Sequence, residues 1–218
     1  MANVNAPFGL RPVKHIGGAS WNQQTNVYYI PSGDTNAYGI GDTVISSAQG
    51  DLTTGISGVT LSAARGAVTT GNIRGVIVGI GTAPSTPGGN FPGAFDPNNL
   101  NIAYIPATKT QAYYVWVVDD PTVIFEAQAD SGTLAATALN KNIGYTNTAP
   151  TSSLTTSGGV LHSATVLTTA SANTTQALPL KLVGAPWTPD NDLTSGYARF
   201  HVMINQHELG NTLLVYNN

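Results

Sequence analysis

A chain of 218 residues with no cysteine cannot use disulfides, thiolate nucleophiles or cysteine-ligated zinc. Only 9% of its side chains are charged, and the 8 basic residues are scattered singly against 11 acidic ones, so no basic stripe is present and we expect no nucleic-acid partner. The length suits one large β domain or two small ones, and a hydrophobic fraction of 41% argues against a fully disordered chain.

The sequence also predicts neither a membrane span nor a signal peptide. No apolar run reaches the roughly 18 residues that a transmembrane helix needs. The first residues, MANVNAPFGLRPVKH, lack an apolar core region and are interrupted by Pro7, Gly9 and Pro12. We therefore expect synthesis in a cytoplasm without export by this route, and no membrane partner.

Residues 2 to 20 are predicted to form an extended arm, because proline and glycine oppose a helix there. A few hydrophobic residues favour an arm laid over a neighbour rather than a solvated tail. They are Phe8, Leu10, Val13 and Ile16. The predicted organisation is an arm at 1 to 20 and a single β-rich domain at 21 to 218, whose boundary with any inserted subdomain is not marked. Removing residues 2 to 20 should leave that domain folded.

Short strand signals follow one another along the rest of the chain. They lie at 24–31, 41–46, 58–63, 73–81, 100–106, 111–118, 122–128, 159–167, 176–186 and 198–207. In the last of these, Phe200, Val202 and Ile204 alternate with Arg199 and His201, which is the period of a half-buried strand. The series predicts an all-β fold, a sandwich or barrel of jelly-roll type.

Two segments depart from this pattern. Residues 82 to 99 contain four prolines and three glycines, which predicts a long interaction loop with Phe91 and Phe95 as its apolar contact points. Residues 131 to 140, SGTLAATALN, are the only plausible helix. A helix of two to three turns is marginal by itself, so it would have to dock on the sheet.

The stretch VWVVDDPTVIFEAQ raises the question of catalysis, since Asp119 and Asp120 are adjacent carboxylates. Neighbouring side chains on a strand point to opposite faces, so this pair does not converge on one substrate atom. An aspartate before Pro121 is instead typical of a turn between two strands. A glycoside hydrolase that uses Asp119 with Glu126 is the last of the alternatives.

No other motif indicates chemistry. The four histidines have no metal-ligand spacing. The stretches GIGDTV at 39 and GIGTAP at 79 lack the third glycine of a dinucleotide fingerprint. Asp34, Asn36 and Asp42 lack the spacing of a calcium loop, so a turn is the better interpretation. We expect a protein that is not an enzyme and has no catalytic residue, cofactor or metal.

The aromatic residues allow two interpretations. They are Trp21, Tyr28, Tyr29, Tyr113, Tyr114, Trp116 and Trp187. Aromatic side chains favour strands, so core packing explains most of them. The alternative is a platform for stacking sugars, as in a carbohydrate-binding β-sandwich, and in that case loss of Trp21 or Trp187 would abolish sugar binding.

Three stretches together resemble virion proteins of tailed bacteriophages. They are PFGLRPVKHIGGASWNQQTNVYYIPSGD, VWVVDDPTVIFEAQAD and WTPDNDLTSGYARFHVMINQH, about a third of the chain. Among such proteins the chain is most similar to the capsid decoration, or cement, proteins of short-tailed phages. A tail, neck or fibre component is the alternative within the same class.

The resemblance implies a β-rich structural protein on the outer surface of the virion. Such a protein binds the major capsid protein, bridges neighbouring subunits, and often forms a dimer or trimer on a local symmetry axis. The N-terminal arm of these proteins commonly reaches a capsid subunit. By position, the implied contact residues are Pro7, Phe8, Leu10, Arg11 and Pro12, with Phe91 and Phe95 of the loop added to them.

Overall fold

A computed structural model describes residues 3–69, 71–82, 104–149 and 162–210, and their regular structure is almost entirely β-strand. The strands are β1 (Arg11–His15), β2 (Asn26–Ile30), β3 (Tyr38–Gly39), β4 (Thr43–Asp51), β5 (Ile56–Leu61), β6 (Gly75–Thr82), β7 (Tyr104–Ile105), β8 (Tyr113–Val118), β9 (Val123–Gln128), β10 (Asn142–Ile143), β11 (Tyr145–Thr146), β12 (Val166–Leu167), β13 (Leu180–Gly184) and β14 (Arg199–Ile204). The all-β prediction is confirmed.

The helix predicted at 131–140 does not form. Only a 3₁₀ turn, Ala136–Ala138, occurs there, and the other 3₁₀ turn of the described chain is Thr169–Ser171. The Asp130 carboxylate accepts a hydrogen bond from the Gly132 N–H at 2.9 Å, and the Asn140 N–H donates to the Leu182 carbonyl. These bonds hold both ends of the segment in non-helical conformations. Their stabilisation exceeds that of a short helix, which is marginal by itself.

Five strands close into a barrel in the order β2-β5-β4-β6-β8. Neighbours are antiparallel except β2 and β5, which run parallel where Tyr29 faces Gly58. The barrel is filled by aliphatic side chains such as Ile30, Val44 and Val115. Closure leaves this sheet without an edge strand.

The second unit is a five-stranded antiparallel sheet in the order β1-β9-β14-β13-β10. Its last strand in the chain buries Phe200, Val202 and Ile204 and leaves the residues between them partly exposed, so the predicted alternation is confirmed. Its core also takes in Val76 and Val118 from the barrel strands. The barrel and the sheet therefore pack together around a shared set of side chains.

The chain passes between the two units at Asp119–Pro121. Strand β8 belongs to the barrel and β9 to the sheet, so the two strands do not pair as a hairpin. Asp120 accepts hydrogen bonds from the backbone N–H and the hydroxyl of Thr122, both at 2.8 Å. This is a turn, as the Asp-Pro sequence predicts, and it crosses from one sheet to the other.

The segment predicted as a separate arm contributes to the sheet. Strand β1 pairs with β9, so that Arg11 faces Glu126 and His15 faces Val123. The outer edge of β1 is covered where Trp21 N–H donates to the Val13 carbonyl at 3.3 Å. A boundary at residue 20 would thus cut through a packed sheet. The loop predicted at 82–99 lies outside the described residues, apart from Thr82 at the end of β6.

Candidate functional site

Residues Asn3 to Leu10 cross the surface without pairing as a strand, and two side-chain amides hold them. The buried Gln128 donates to the Val4 carbonyl at 2.8 Å and accepts from the Ala6 N–H at 3.0 Å. Asn3 donates to the Asp192 carbonyl and accepts from the Asp192 N–H, both at 2.8 Å. Each amide satisfies a backbone donor and a backbone acceptor, as a neighbouring strand would.

A contact between two glycines fixes the course of this segment. The Leu10 N–H donates to the Gly41 carbonyl at 3.0 Å, and both Gly9 and Gly41 have positive φ, +73° and +92°. A Cβ on Gly9 would lie 2.5 Å from the Gly41 oxygen, so only glycine allows this approach. The crossing turns Leu10 into the core, where it is 1% exposed, and leaves Phe8 partly exposed.

An apolar groove of about 1000 Å³ opens beside this crossing. Its walls are largely aromatic and aliphatic, and they include Phe8, Pro12, Trp21, Ile40, Val78 and Trp116. The Trp116 ring lies against Gly79, where a Cβ would come within 3.0 Å of it. Arg11 and His162 are the ionisable residues that line the groove in the described chain, which provides no carboxylate there.

A smaller cavity of about 360 Å³, the polar pocket, lies on the other side of the same segment. Ala6, Phe8 and Arg11 line both cavities, so residues 3–12 form a ridge between them, the N-terminal ridge. The far wall of the polar pocket comes from β9, from the segment before β14 and from the first residue of β14. Those residues are Gln128, Asp190, Asn191, Tyr197 and Arg199.

The charges around the polar pocket neutralise one another. Glu126 is 5% exposed and lies 3.0 Å from Arg11 Nη2 and 3.5 Å from Arg199 Nη1. Arg199 also pairs with Asp190 at 2.9 Å, and the Arg11 guanidinium stacks 4.9 Å over the Phe8 ring. A carboxylate held between two guanidiniums is a structural ion pair rather than a free acid or base.

The segment Pro186–Ser195, the Trp187 loop, borders this pocket and is held by side chains. Asn191 donates to the Pro186 and Arg199 carbonyls, and it accepts from the Arg199 N–H at 2.8 Å. Arg199 Nη2 donates to the Thr188 hydroxyl at 3.0 Å. The loop presents the Trp187 side chain fully to solvent, at 103% exposure.

Both aspartates of the Trp187 loop stay ionised well into the acid range. A hydrogen bond from Thr188 lowers the pKa of Asp190, and Arg199 lowers it further. The hydroxyl and N–H of Thr194 lower the pKa of Asp192 to about 2. The loop therefore carries two negative charges at neutral pH and contains no basic residue.

The structure brings four of the predicted contact residues to one place. Phe8, Leu10, Arg11 and Pro12 all line the groove, and Pro7 lies between them and the amide-held part of the ridge. Leu10 is buried in the core as placed, so its side chain is not available as a contact surface. Phe91 and Phe95 lie outside the described residues.

The candidate acids are not brought together. Asp119 accepts hydrogen bonds from the Tyr28 hydroxyl at 2.5 Å and the Asn26 amide at 2.9 Å, whereas Glu126 faces the two arginines on the sheet. Neither residue lines the groove or the polar pocket. Asp34 and Asp42 bind Lys109 and Arg65, and within the described residues no three His, Asp or Glu side chains form a metal-ion site.

Sequence reasoning assigned most aromatic residues to the core, and this holds for Tyr28 and Tyr114, which are buried. It missed that Trp21 and Trp116 line the same groove and that the Trp187 side chain is fully exposed. The available signal was Gly79 in GIGTAP, which marks a close approach by another group.

No helix in the described parts of the chain is both long enough and apolar enough to cross a membrane.

Comparison with known proteins adds no family. No family model matches the chain, and neither the curated proteins nor the solved structures contain a match.

Proposed function

We propose that this chain is a structural virion protein that binds the outer surface of an icosahedral phage head and stabilises the head by bridging major capsid protein subunits. The observation that carries the proposal is the convergence of the three stretches that resemble decoration proteins. Phe8 and Arg11 from the first, Gln128 from the second and Asn191 and Arg199 from the third line one polar pocket. Residues far apart in the sequence thus build one face.

That face is suited to protein contact rather than to chemistry. It consists of the N-terminal ridge, the apolar groove, the polar pocket and the Trp187 loop. Its buried charges are already paired, so a partner can cover it without stripping water from an isolated ion. Pro7, Phe8, Arg11 and Pro12 keep the role of shell contacts in the proposal, and Leu10 acts through its packing.

Many copies bound to one shell attach more tightly together than a single copy would. Copies held side by side act at a high effective concentration, so modest individual contacts are sufficient. We include in the proposal that the chain associates with itself on the head, as a dimer or trimer. With few charged residues, the attachment should depend little on ionic strength.

The test is to mix the purified protein with undecorated heads and to image them by electron microscopy. Ordered extra density over the shell is the expected result. A Phe8→Ala/Arg11→Ala variant should decorate poorly, whereas Leu52→Ala, at a residue that is fully exposed outside the groove and the polar pocket, should decorate like the natural chain. Bare shells with free protein would contradict the proposal, and release at moderate salt would contradict the role of the weakly charged surface.

A tail, neck or fibre component is the alternative within the same class. The same images distinguish it, because gold-labelled protein would then bind tails or necks rather than the faces of the head.

A carbohydrate-binding module is the second candidate, favoured by the aromatic groove. Trp21 and Trp116 line it together with the polar side chains of Gln23 and Thr25, a combination that suits sugar rings and their hydroxyls. A glycan array tests this function with the natural chain and Trp116→Ala. Binding that the substitution abolishes would support the candidate, and an array without signal would remove it.

A further inference from the structure

We infer that the apolar groove of one copy takes the exposed tip of the Trp187 loop, residues 186–189, from a second copy. The inference deepens the proposed function, because it names the neighbour that fills the groove. Both halves of the contact are present on the described chain, one as a protruding indole and the other as an aromatic cleft that no described residue fills.

The tip is exposed and rigid enough to enter a groove on another copy. Tryptophan is strongly buried on average in folded proteins, so full exposure of Trp187 is unusual for its type. Pro186 precedes Trp187 and Pro189 follows Thr188, so proline restricts the backbone on both sides of the Trp187–Thr188 pair. Asn191 and Arg199 hold the loop from behind. A tip that is already ordered loses little conformational entropy when it docks.

The groove matches this tip in chemistry and in size. Aromatic-lined grooves are a recurring way to bind stiff, proline-containing segments. Here the lining combines Trp21, Trp116 and Phe8 with Pro12. A volume of about 1000 Å³ exceeds one indole ring, so it accommodates the tryptophan with its flanking prolines.

Charge complementarity favours the same pairing. The loop carries Asp190 and Asp192, both ionised at neutral pH, and no basic residue. The groove is lined by Arg11 and His162 and, among the described residues, by no acidic one. Docking the tip brings the carboxylates of the loop towards Arg11, whose side chain pairs with Glu126 yet stays 57% exposed, whereas two such loops facing each other would bring like charges together.

The loop cannot fill the groove of its own chain in this structure. Thr188 and Asp190 are bonded to Arg199 on the polar-pocket side, and the ridge at Ala6 and Phe8 separates that pocket from the groove. Because tip and groove flank the same ridge, two copies can exchange tips across a two-fold axis, each filling the groove of the other.

The contact should be weak in dilute solution and effective on a crowded shell. A four-residue tip buries far less than the roughly 1,600 Å² of a standard stable interface. Copies already attached to a head meet at a much higher effective concentration. The test must therefore capture a transient contact rather than rely on a stable dimer.

Disulfide trapping provides this test, because the natural chain contains no cysteine. A tagged Thr188→Cys copy is mixed with an untagged Thr25→Cys copy under mild oxidation, and the mixed adduct is followed on non-reducing gels. Thr188 lies in the tip and Thr25 lines the groove. Adding Trp187→Ala to the tagged copy should lower the rate of adduct formation about tenfold or more, because a buried interface tryptophan is typically an energetic hot spot.

Matched variants make the result decisive. Trp187→Phe should retain most of the adduct, and Leu52→Ala, at an equally exposed apolar residue, should change nothing. All these positions are at least partly exposed, and thermal unfolding of each variant checks its fold. An adduct rate no higher than that of a Leu52→Cys copy mixed with Thr25→Cys would overturn the inference, as would an adduct insensitive to Trp187→Ala.

The outcome is separable from that of the proposed function, since trapping uses no heads. A Trp187-dependent adduct in a protein that leaves heads bare would keep the self-contact and refute the capsid role. Decorated heads without the adduct would keep the capsid role and refute the self-contact.

Discussion

Asp119 and Asp120 are adjacent in the chain, yet their carboxylates bind groups on opposite sides of the junction between the barrel and the sheet. Asp119 is 7% exposed and accepts hydrogen bonds from the Tyr28 hydroxyl and the Asn26 amide of β2. Asp120 faces outward and accepts from Thr122, two residues ahead. The first carboxylate joins the barrel strands and the second shapes a turn, so the pair does not act on a common atom.

Replacing each aspartate by alanine should therefore have unequal effects. Asp119→Ala leaves Tyr28 and Arg74, whose Nε lies 3.7 Å from the carboxylate, without their buried anion, and we expect a loss of about 3–5 kcal/mol in the free energy of unfolding. Asp120→Ala removes a partly exposed turn contact and should cost about 1 kcal/mol or less. Urea unfolding measures both values. Equal losses would contradict the division of roles.

Lys109 and Asp34 form a deeply buried ion pair in the segments beside the barrel strands. The Lys109 side chain is 0% exposed, and its ammonium lies 3.0 Å from Asp34 Oδ1 while it donates to the Asp34 and Asn36 carbonyls. Burial raises the pKa of Asp34, but the Asn36 N–H and Lys109 outweigh burial and lower it overall. The carboxylate is therefore charged at neutral pH.

Replacing Asp34 alone should lower the free energy of unfolding more than replacing Asp34 and Lys109 together. Asp34→Ala leaves a buried ammonium without its counter-ion, for which we expect a loss of about 3–5 kcal/mol. An added Lys109→Met removes that charge, so the double variant should regain part of the lost free energy of unfolding. Chemical denaturation of the two single variants and the double variant closes the cycle. Additive losses would show that the two groups do not interact.

The local part of the fold was predictable from the sequence, whereas the pairing was not. The signals at 24–31, 111–118 and 198–207 each contain a strand, because alternation and β-branched or aromatic residues act within a few positions. That β8 and β9 enter different sheets depends on contacts between distant segments. The parallel pairing of β2 with β5 closes the barrel in the same non-local way.

The site was predictable only at the level of its ridge. Phe8 and Arg11 were selected from a resemblance, and they lie on the proposed docking face. Gly41 and Gly79 were tested only against a nucleotide fingerprint. Their role is to let Gly9 and Trp116 approach closely, and the sequence does not reveal which group lies opposite a glycine.

Leu10 and Phe8 lie two residues apart, but replacing each by alanine should affect a different property. Leu10 should matter for stability and Phe8 for binding to heads. Leu10→Ala opens a cavity in the core and should cost about 2–5 kcal/mol. Phe8→Ala removes a partly exposed ring from the groove and should leave the melting temperature nearly unchanged while it weakens decoration of heads. Thermal unfolding and a head-binding assay on both variants make the comparison. If the Phe8 variant unfolds as readily as the Leu10 variant, Phe8 is a core residue like Leu10 rather than a contact residue.

Truncation tests the same relationship at the level of the segment. Loss of residues 1–9 removes the amide-held part of the ridge but keeps β1, so the body should stay folded. Loss of residues 1–15 also removes Leu10 and the whole of β1, which pairs with β9. We expect that protein to be insoluble or to melt at a much lower temperature, although the sequence alone predicted that residues 2–20 could be removed. Equal stability of the two truncations would restore the idea of a separate arm.

His207 makes stability depend on pH near neutrality. It is 3% exposed, and its Nδ1 accepts a hydrogen bond from the Leu209 N–H at 3.0 Å. Burial lowers the pKa of His207; Asp119 opposes this shift and Arg74 adds to it, with Glu208 and Asp120 as the other charges nearby. The fold therefore contains a neutral histidine in a place where the unfolded chain would bind a proton.

Acidification should accordingly weaken the fold before the carboxylates titrate. Above the ordinary histidine pKa of about 6.5, both states are neutral at this residue and stability is unaffected. As the pH falls below that value, the unfolded chain takes up a proton first, so the free energy of unfolding decreases. His207→Asn keeps an acceptor for the Leu209 N–H and should reduce the loss between pH 7.5 and 5.0 in urea unfolding. His201, whose pKa burial also lowers, should account for part of the remainder. An unchanged pH dependence in the His207 variant would show that another group is responsible.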